Sequence, residues 1–229
     1  MSSPLKMLSS MATRQILAEL IADYEARSSR AVVLESVGGV DAARRVREGE
    51  AFDAVVLASE VIDKLSTEGR IVAGSRVDLV RSGVAIAVRA GAERPDIGSE
   101  DAVRRAVLAA KSVSYSTGPS GDHLAKLFER WGIAETVAAR LVKPPPGVAV
   151  GSLVRDGKVG LGFQQLAELL HVEGIAVLGP LPAAIQLLTT FSGGVAATSN
   201  CSDDVRALLA FMASPAAAAA KRRQGMEPA

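Results

Sequence analysis

"STGPSGDHLAKLFERWG", residues Ser116 to Gly132, sets a strand's end, a glycine-containing turn of small residues and an amphipathic helix in a row. Three kinds of site use that arrangement: a nucleotide loop, a catalytic serine–histidine pair, or a cradle for another small anion. The turn lacks the Gly-Lys-Ser/Thr ending of a phosphate loop and the spacing of a dinucleotide fingerprint. The later "GKVGLGFQQ" leads into a strand, whereas a dinucleotide fingerprint would follow one. Ser120 and His123 lie three apart, but a triad also needs a nucleophile elbow and an orienting acid. Asp122, beside His123, fits better as a decoration of the helix N-terminus. An anion cradle remains, because a helix start offers unpaired N–H donors and the positive end of the macrodipole.

Outward from this stretch, strand and helix alternate almost throughout. "LKML", "AVVLES" and "FDAVVLAS" read as strands, the last a continuous apolar run as expected when helices cover both faces. Between them a helix from about Thr13 to Ala26 buries Ile16, Leu17, Leu20, Ile21 and Tyr24 on one face. "VDAARRVREG" and "EVIDKLSTEG" are helices closed by glycine. Ser99 and the acidic residues after it signal another helix start in "GSEDAVRRAVLAA". "VGSLVRDG" and "QQLAELL" read as helices, "VGLGF" and "IAVLGPLP" as strands. The alanine-rich "SPAAAAAKRRQG" reads as a packed terminal helix. Two long extended runs, near residues 79–90 and 189–199, bracket a middle block with its own strand–helix series. The architecture expected is α/β, with residues 1–88 and 190–229 forming one lobe and 89–189 the other. Ligands of open α/β sheets lie beyond the carboxyl ends of the strands, so strand-to-helix turns should line the cleft between lobes.

The 229 residues, 48% hydrophobic and 3% aromatic, suffice for a substantial core in either one domain or two lobes. A net charge of +1, with both signs mixed along the chain, shows no basic stripe for nucleic acid. The single cysteine, Cys201, excludes an internal disulfide framework and reads as a small residue near a helix start. The chain has two histidines, and His171, at a helix end, reads as a capping or solvated residue. No bound metal ion and no cofactor are expected. Ser9, Ser10, Thr13, Arg14 and Gln15 interrupt the N-terminal apolar residues, so no export signal is read there. Nor does any later stretch reach a membrane-spanning length. As written, the chain is expected in the cytoplasm, or in the periplasm if a signal has been trimmed.

Four turns lead from strand positions into helices: "SSMAT" (Ser9, Ser10, Met11), "SVGGVD" (Gly38, Gly39), "STGPSGD" (Ser116, Thr117, Ser120, Gly121) and "KPPPGVAVG" (Gly147, Val148). Each is built of small residues that let main-chain N–H groups approach a ligand. Together they would hold a di- or trianionic small molecule without a dedicated arginine.

The pieces "ATRQILAELIADYEA", "AARRVREGEAFDAVVLAS", "HLAKLFERWGI", "GVAVGSLVRDGKVGLGF" and "LLAFMASPAAAAAKRRQG" resemble, in order and spacing, the molybdate-binding-like branch of type II periplasmic solute-binding proteins. The resemblance covers nearly the whole chain. It implies a two-lobe fold with a hinged interlobe cleft and oxyanion contacts at Ser9 or Ser10, Gly38 or Gly39, Ser120, Gly147 or Val148, and Phe163. Two positions depart from the family pattern. "VGG" stands where serine hydroxyls are usual, and Phe163 stands where a tyrosine is usual. Gln164 and Gln165 offer amides instead, which points to an organic acid with several carboxylates. Because the family includes aconitate isomerases, the resemblance carries two implications. One is a binding protein for a small anion, which would serve an ABC transporter if exported. The other is a cytoplasmic isomerase of a polycarboxylate such as cis- and trans-aconitate. The second would need a base near the substrate carbon, for which His123 and Glu35 are the candidates.

Overall fold

The first stretch of chain alternates strand and helix: β1 (Leu5–Ser10), α1 (Arg14–Glu25), β2 (Val32–Val37), α2 (Gly39–Arg47), β3 (Ala54–Ala58), α3 (Ser59–Thr67) and the long β4 (Val77–Arg89). Then follow α4 (Glu100–Ala109), β5 (Val113–Tyr115), α5 (Pro119–Arg130), α6 (Ala134–Ala138), α7 (Val150–Arg155), β6 (Leu161–Gln165), α8 (Leu166–Leu169) and β7 (Ile175–Pro180). The chain ends with β8 (Leu188–Val195), α9 (Ser202–Ala213), α10 (Ala218–Arg223) and β9 (Glu227–Pro228). This computed structural model describes residues 3–145 and 147–229. Two units emerge, Met1–Ser82 with Thr189–Ala229, and Gly83–Leu188. The chain changes unit within β4, earlier than residue 88, and again at the start of β8.

In the first unit β1 pairs in parallel with β2 on one side and β3 on the other, and β8 runs antiparallel to β3. All five residues of β3 are buried, as its continuous apolar run predicts. One face of this sheet packs Leu8, Val55 and Leu57 against Ala42, Ala43 and Val46 of α2 and Ile62 and Leu65 of α3. The arginines Arg44, Arg45 and Arg47 of α2 lie among exposed ion pairs with Glu48, Glu35, Glu50 and Glu68. Helices α9 and α10 pack on α1, where Tyr24 meets Phe211 at 5.5 Å between ring centroids. Gly193 of β8 gives α9 its seat, because a Cβ there would lie 2.4 Å from Leu209 Cδ2.

In the second unit β4 is flanked by antiparallel β7 and β6, and β6 pairs in parallel with β5. Val84, Ile86 and Val88 alternate onto one face of β4, where they meet Val103 and Val107 of α4, Leu124, Leu127 and Phe128 of α5, and Phe163 of β6. Helix α4 starts as its sequence predicts: Ala102 N–H donates to Ser99 Oγ at 3.2 Å, and Glu100 and Asp101 occupy the first turn. Two expectations change here. Gln164 and Gln165 end strand β6 rather than opening a helix, which starts at Leu166. The alanine-rich tail is a 3-10 turn over Pro215–Ala217 followed by the six residues of α10.

Candidate functional site

In the first unit the parallel register sets Ser9 beside Ser36 and Ser10 beside Val37, at the carboxyl ends of β1 and β2. The Ser9 and Ser36 hydroxyls lie 2.8 Å apart, and Ser9 Oγ also donates to the Ser10 carbonyl at 3.2 Å. Ser9, 0% exposed, thus ties two strand ends together. Ser10 precedes the 3-10 turn Met11–Thr13, and Thr13 Oγ1 donates to its carbonyl at 3.1 Å. The second turn comes close to the first: a Cβ on Gly39 would lie 3.8 Å from Ser10 Cβ, while one on Gly38 would meet nothing within 4 Å. No side chain caps the start of α2 or of the turn after Ser10. The leading N–H groups of α2 have no helical carbonyl to bond, which leaves an open, donor-rich corner beside Ser10.

In the second unit β5 and β6 end side by side, with Tyr115 opposite Phe163. Ser116 N–H donates to the Phe163 carbonyl at 3.2 Å, and the Ser116 and Ser120 hydroxyls lie 2.8 Å apart. Gly118, at φ 85°, turns the chain into α5 in a conformation that favours glycine. Pro119 opens the helix, where its missing N–H costs nothing, and no side chain caps it. Ser120 and Gly121 are buried in the first turn, and Thr117 is exposed. Four of the expected residues, Ser116, Thr117, Ser120 and Gly121, therefore surround one helix start.

The fourth turn departs from expectation. Val148 N–H donates to the Pro145 carbonyl at 3.0 Å, so it is consumed within a turn that Gly147, at φ 76°, helps close. Pro146, in the same quoted turn, lies outside the described residues. Phe163 is fully buried, and its ring packs edge-on to Phe128 at 6.3 Å, so its side chain serves the core rather than a ligand. Burying such a ring contributes on the order of 1.5–3 kcal/mol. Gln164 is also committed to the protein. Its Oε1 accepts from Gly151 N–H at 2.9 Å, and its Nε2 donates to Glu168 Oε2 at 2.5 Å. Gln165 is buried beside it.

Two titratable candidates have distinct settings. Glu35 accepts from both terminal nitrogens of Arg45 at 2.6 and 3.1 Å, and Arg45 is shared with Glu50. That ion pair occupies both carboxylate oxygens. His123 bonds the Ile185 carbonyl through Nε2 at 2.8 Å. The carbonyl can only accept, so Nε2 carries a proton and donates it, and in the neutral form of the ring Nδ1 is the acceptor. The residue that sequence reading missed is Glu168. Burial pushes its carboxyl up to about 7, against the opposing pull of the Gln164 amide. The signal was a lone acid in "QLAELL", four residues after Gln164. Among the described residues no three His, Cys, Asp or Glu side chains gather as a metal site, and no helix is long and apolar enough to cross a membrane.

The family model for bacterial extracellular solute-binding proteins matches residues 5–227. Aconitate isomerase from Pseudomonas sp is 38% identical over 185 residues, covering 80% of this chain and 70% of that protein. Among solved structures, the periplasmic molybdate-binding protein of Azotobacter vinelandii superimposes with a TM-score of 0.80 at 18% identity, covering 97% of this chain and 98% of that one. The sulfate-binding protein of Mycobacterium tuberculosis gives 0.76 at 17% identity, covering 99% and 87%. The tungstate ABC transporter structure from Geobacter sulfurreducens gives 0.73 at 16% identity, covering 95% and 97%.

Proposed function

The chain belongs to the bacterial extracellular solute-binding proteins, and from that membership we propose that it binds a small oxygen-rich anion, an oxyanion or a polycarboxylate. The observation that carries this reading is the corner made by Ser10 and Gly39, with an uncapped helix start beside open space. Main-chain N–H groups there supply neutral donors, and the uncapped start of α5 beside Ser116 and Ser120 supplies a second set. Such donors bind anions without the desolvation cost of burying a counter-charge. The names of the structural neighbours, which concern molybdate, sulfate and tungstate, support an oxyanion. The aconitate isomerase relative supports a carboxylate. As a carrier the protein would work outside the cytoplasm and deliver its anion to an ABC transporter.

A thermal-shift panel of molybdate, tungstate, sulfate, citrate, tricarballylate and both aconitates tests the reading. An anion at a hundred times its Kd should add about 2.7 kcal/mol of stability. No shift from any of the seven would overturn it.

The same relative favours a second reading, isomerisation of a polycarboxylate. His123 is the group suited to it, since Nδ1 is left to take a proton while Nε2 is anchored. Turnover of cis-aconitate separates the two readings.

A further inference from the structure

The second unit is a single segment of chain, and one side chain ties its two ends together. Gln186 lies two residues before that segment ends at Leu188, and Val84 one residue after it begins at Gly83. The Gln186 amide brackets Val84: Val84 N–H donates to Gln186 Oε1 at 2.9 Å, and Gln186 Nε2 donates to the Val84 carbonyl at 3.0 Å. The side chain thus exchanges both bonds with one residue, as a residue of an antiparallel strand would. Leu181 N–H donates to the same carbonyl at 3.0 Å, so the turn from Leu181 to Gln186 is fastened to β4 at both ends. The fit is close, since a Cβ on Gly83 would lie 3.0 Å from Gln186 Nε2. Between the fastenings Ile185 packs in the core, and its carbonyl accepts from His123 Nε2–H at 2.8 Å. His123 stands three residues beyond Ser120 on α5, whose uncapped start is one of the two donor sets proposed for the anion.

We propose that Gln186 is a clasp coupled to the anion site: it closes on Val84 while His123 holds Ile185, and an anion at the start of α5 keeps it closed. The proposal rests on the anion-binding reading above. Closed, both main-chain groups of Val84 are paired, and the turn presents the Ile185 carbonyl to His123. Open, the amide swings away, the buried Val84 N–H loses its partner, and the turn that anchors His123 loosens. Helix α5 then has one tie fewer near its start. An anion that needs the N–H groups around Ser120 in place must order them itself and binds more weakly. Linkage makes the effect reciprocal. The factor by which closure tightens anion binding is the factor by which the anion suppresses opening.

The clasp is built to open on its own. Its bonds join neutral groups, whose net contribution to stability is modest, so the turn can part from β4 without the whole unit unfolding. Ala183 and Ala184 are exposed, which leaves Leu181 and Ile185 as the turn's buried anchors. Just beyond the clasp, Leu188 is 62% exposed.

Hydrogen exchange at the Val84 amide, followed by NMR, tests the proposal with molybdate and citrate as probes. Without anion, Gln186→Met keeps the length of the side chain, removes its polar end and should speed Val84 exchange at least about tenfold. Equal exchange in the two proteins overturns the clasp. In the wild type, raising the anion concentration should slow Val84 exchange until the effect levels off at a factor of about ten. Gln186→Met should lower the affinity for that anion by the same factor. Slowing that continues in proportion to free anion marks exchange through global unfolding alone, and a clasp that opens by itself is then ruled out. No slowing in the wild type, or undiminished affinity in Gln186→Met, rejects the coupling. His123→Ala should abolish the anion's effect on Val84 exchange, and its persistence there would sink the link through His123. Failure of both anions to bind removes the binding reading and the coupling with it, while exchange in the ligand-free proteins still decides the clasp.

Discussion

Gly121 lies so close over Ser116 that a Cβ built on it would stand 1.9 Å from the Ser116 carbonyl oxygen. The obstacle is main chain, so it cannot rotate away. Gly121→Ala must push the first turn of α5 off the end of β5 and part the Ser116 and Ser120 hydroxyls. We expect a loss of about 1–3 kcal/mol of stability, as for other overpacked sites, together with weaker anion binding. Thermal melts with and without anion will show both. An unchanged melting temperature would mean that the turn is placed differently.

Gly39 poses the opposite case. Its φ lies outside the left-handed region, and a Cβ there meets Ser10 Cβ at an ordinary 3.8 Å. Gly39→Val should therefore fold with a melting temperature near that of the wild type while its branched side chain fills the open corner. Anion affinity should drop at least about tenfold, or 1.4 kcal/mol. Normal affinity in a titration would remove the second turn from the site.

For the isomerase reading, His123→Ala should lower turnover of cis-aconitate by a factor on the order of 10², the usual range for losing a general base. Proton NMR in D₂O will report trans product and deuterium incorporation. Equal turnover in the variant would clear His123. Glu35, clamped by Arg45, would have to leave its ion pair before it could take over.

Glu168 also sets a pH dependence of stability. Its folded-state acidity near 7 stands above the ordinary 4.5, so the native protein keeps a proton that the unfolded chain releases. Native binding of more protons means that stability falls as pH rises from about 4.5 to 7 and then levels off. The full span of such a shift corresponds to about 3 kcal/mol. Glu168→Gln should remove that slope and raise the melting temperature at pH 8 relative to the wild type. Denaturant melts at pH 5.5 and 8 will measure it, and parallel slopes in the two proteins would refute the assignment.

Much of this arrangement is legible along the chain because local signals and tertiary packing agree. Ser99 caps α4 where a serine followed by two acids says it should. The apolar run of β3 is buried on both faces. The turns at Ser10, Gly39 and Ser120 all open helices. What escaped was decided by partners distant in sequence or by turn chemistry. Gln164 looks like a free amide until β6 and α7 bring Gly151 to it. Val148 looks like a donor until the turn to Pro145 consumes its N–H. Phe163 follows the alternation of a buried strand, which places its ring in the core whatever a family pattern assigns to that position. The short α6 starts after Ile133, whose side chain offers no cap to announce it.

The passage of the chain through β4 and back at β8 also bears on how the protein is made. The second unit is one uninterrupted segment, Gly83–Leu188, and can close its core as soon as that segment has left the ribosome. The first unit cannot. Val195 pairs with Ala54, so β3 waits for a partner synthesised some 140 residues later. Until then an edge of five apolar residues stands open, the kind of edge that seeds association with other chains. A strand translated after the whole second unit therefore completes the pairing of β3, and shielding nascent β3 during that interval would guard its open edge.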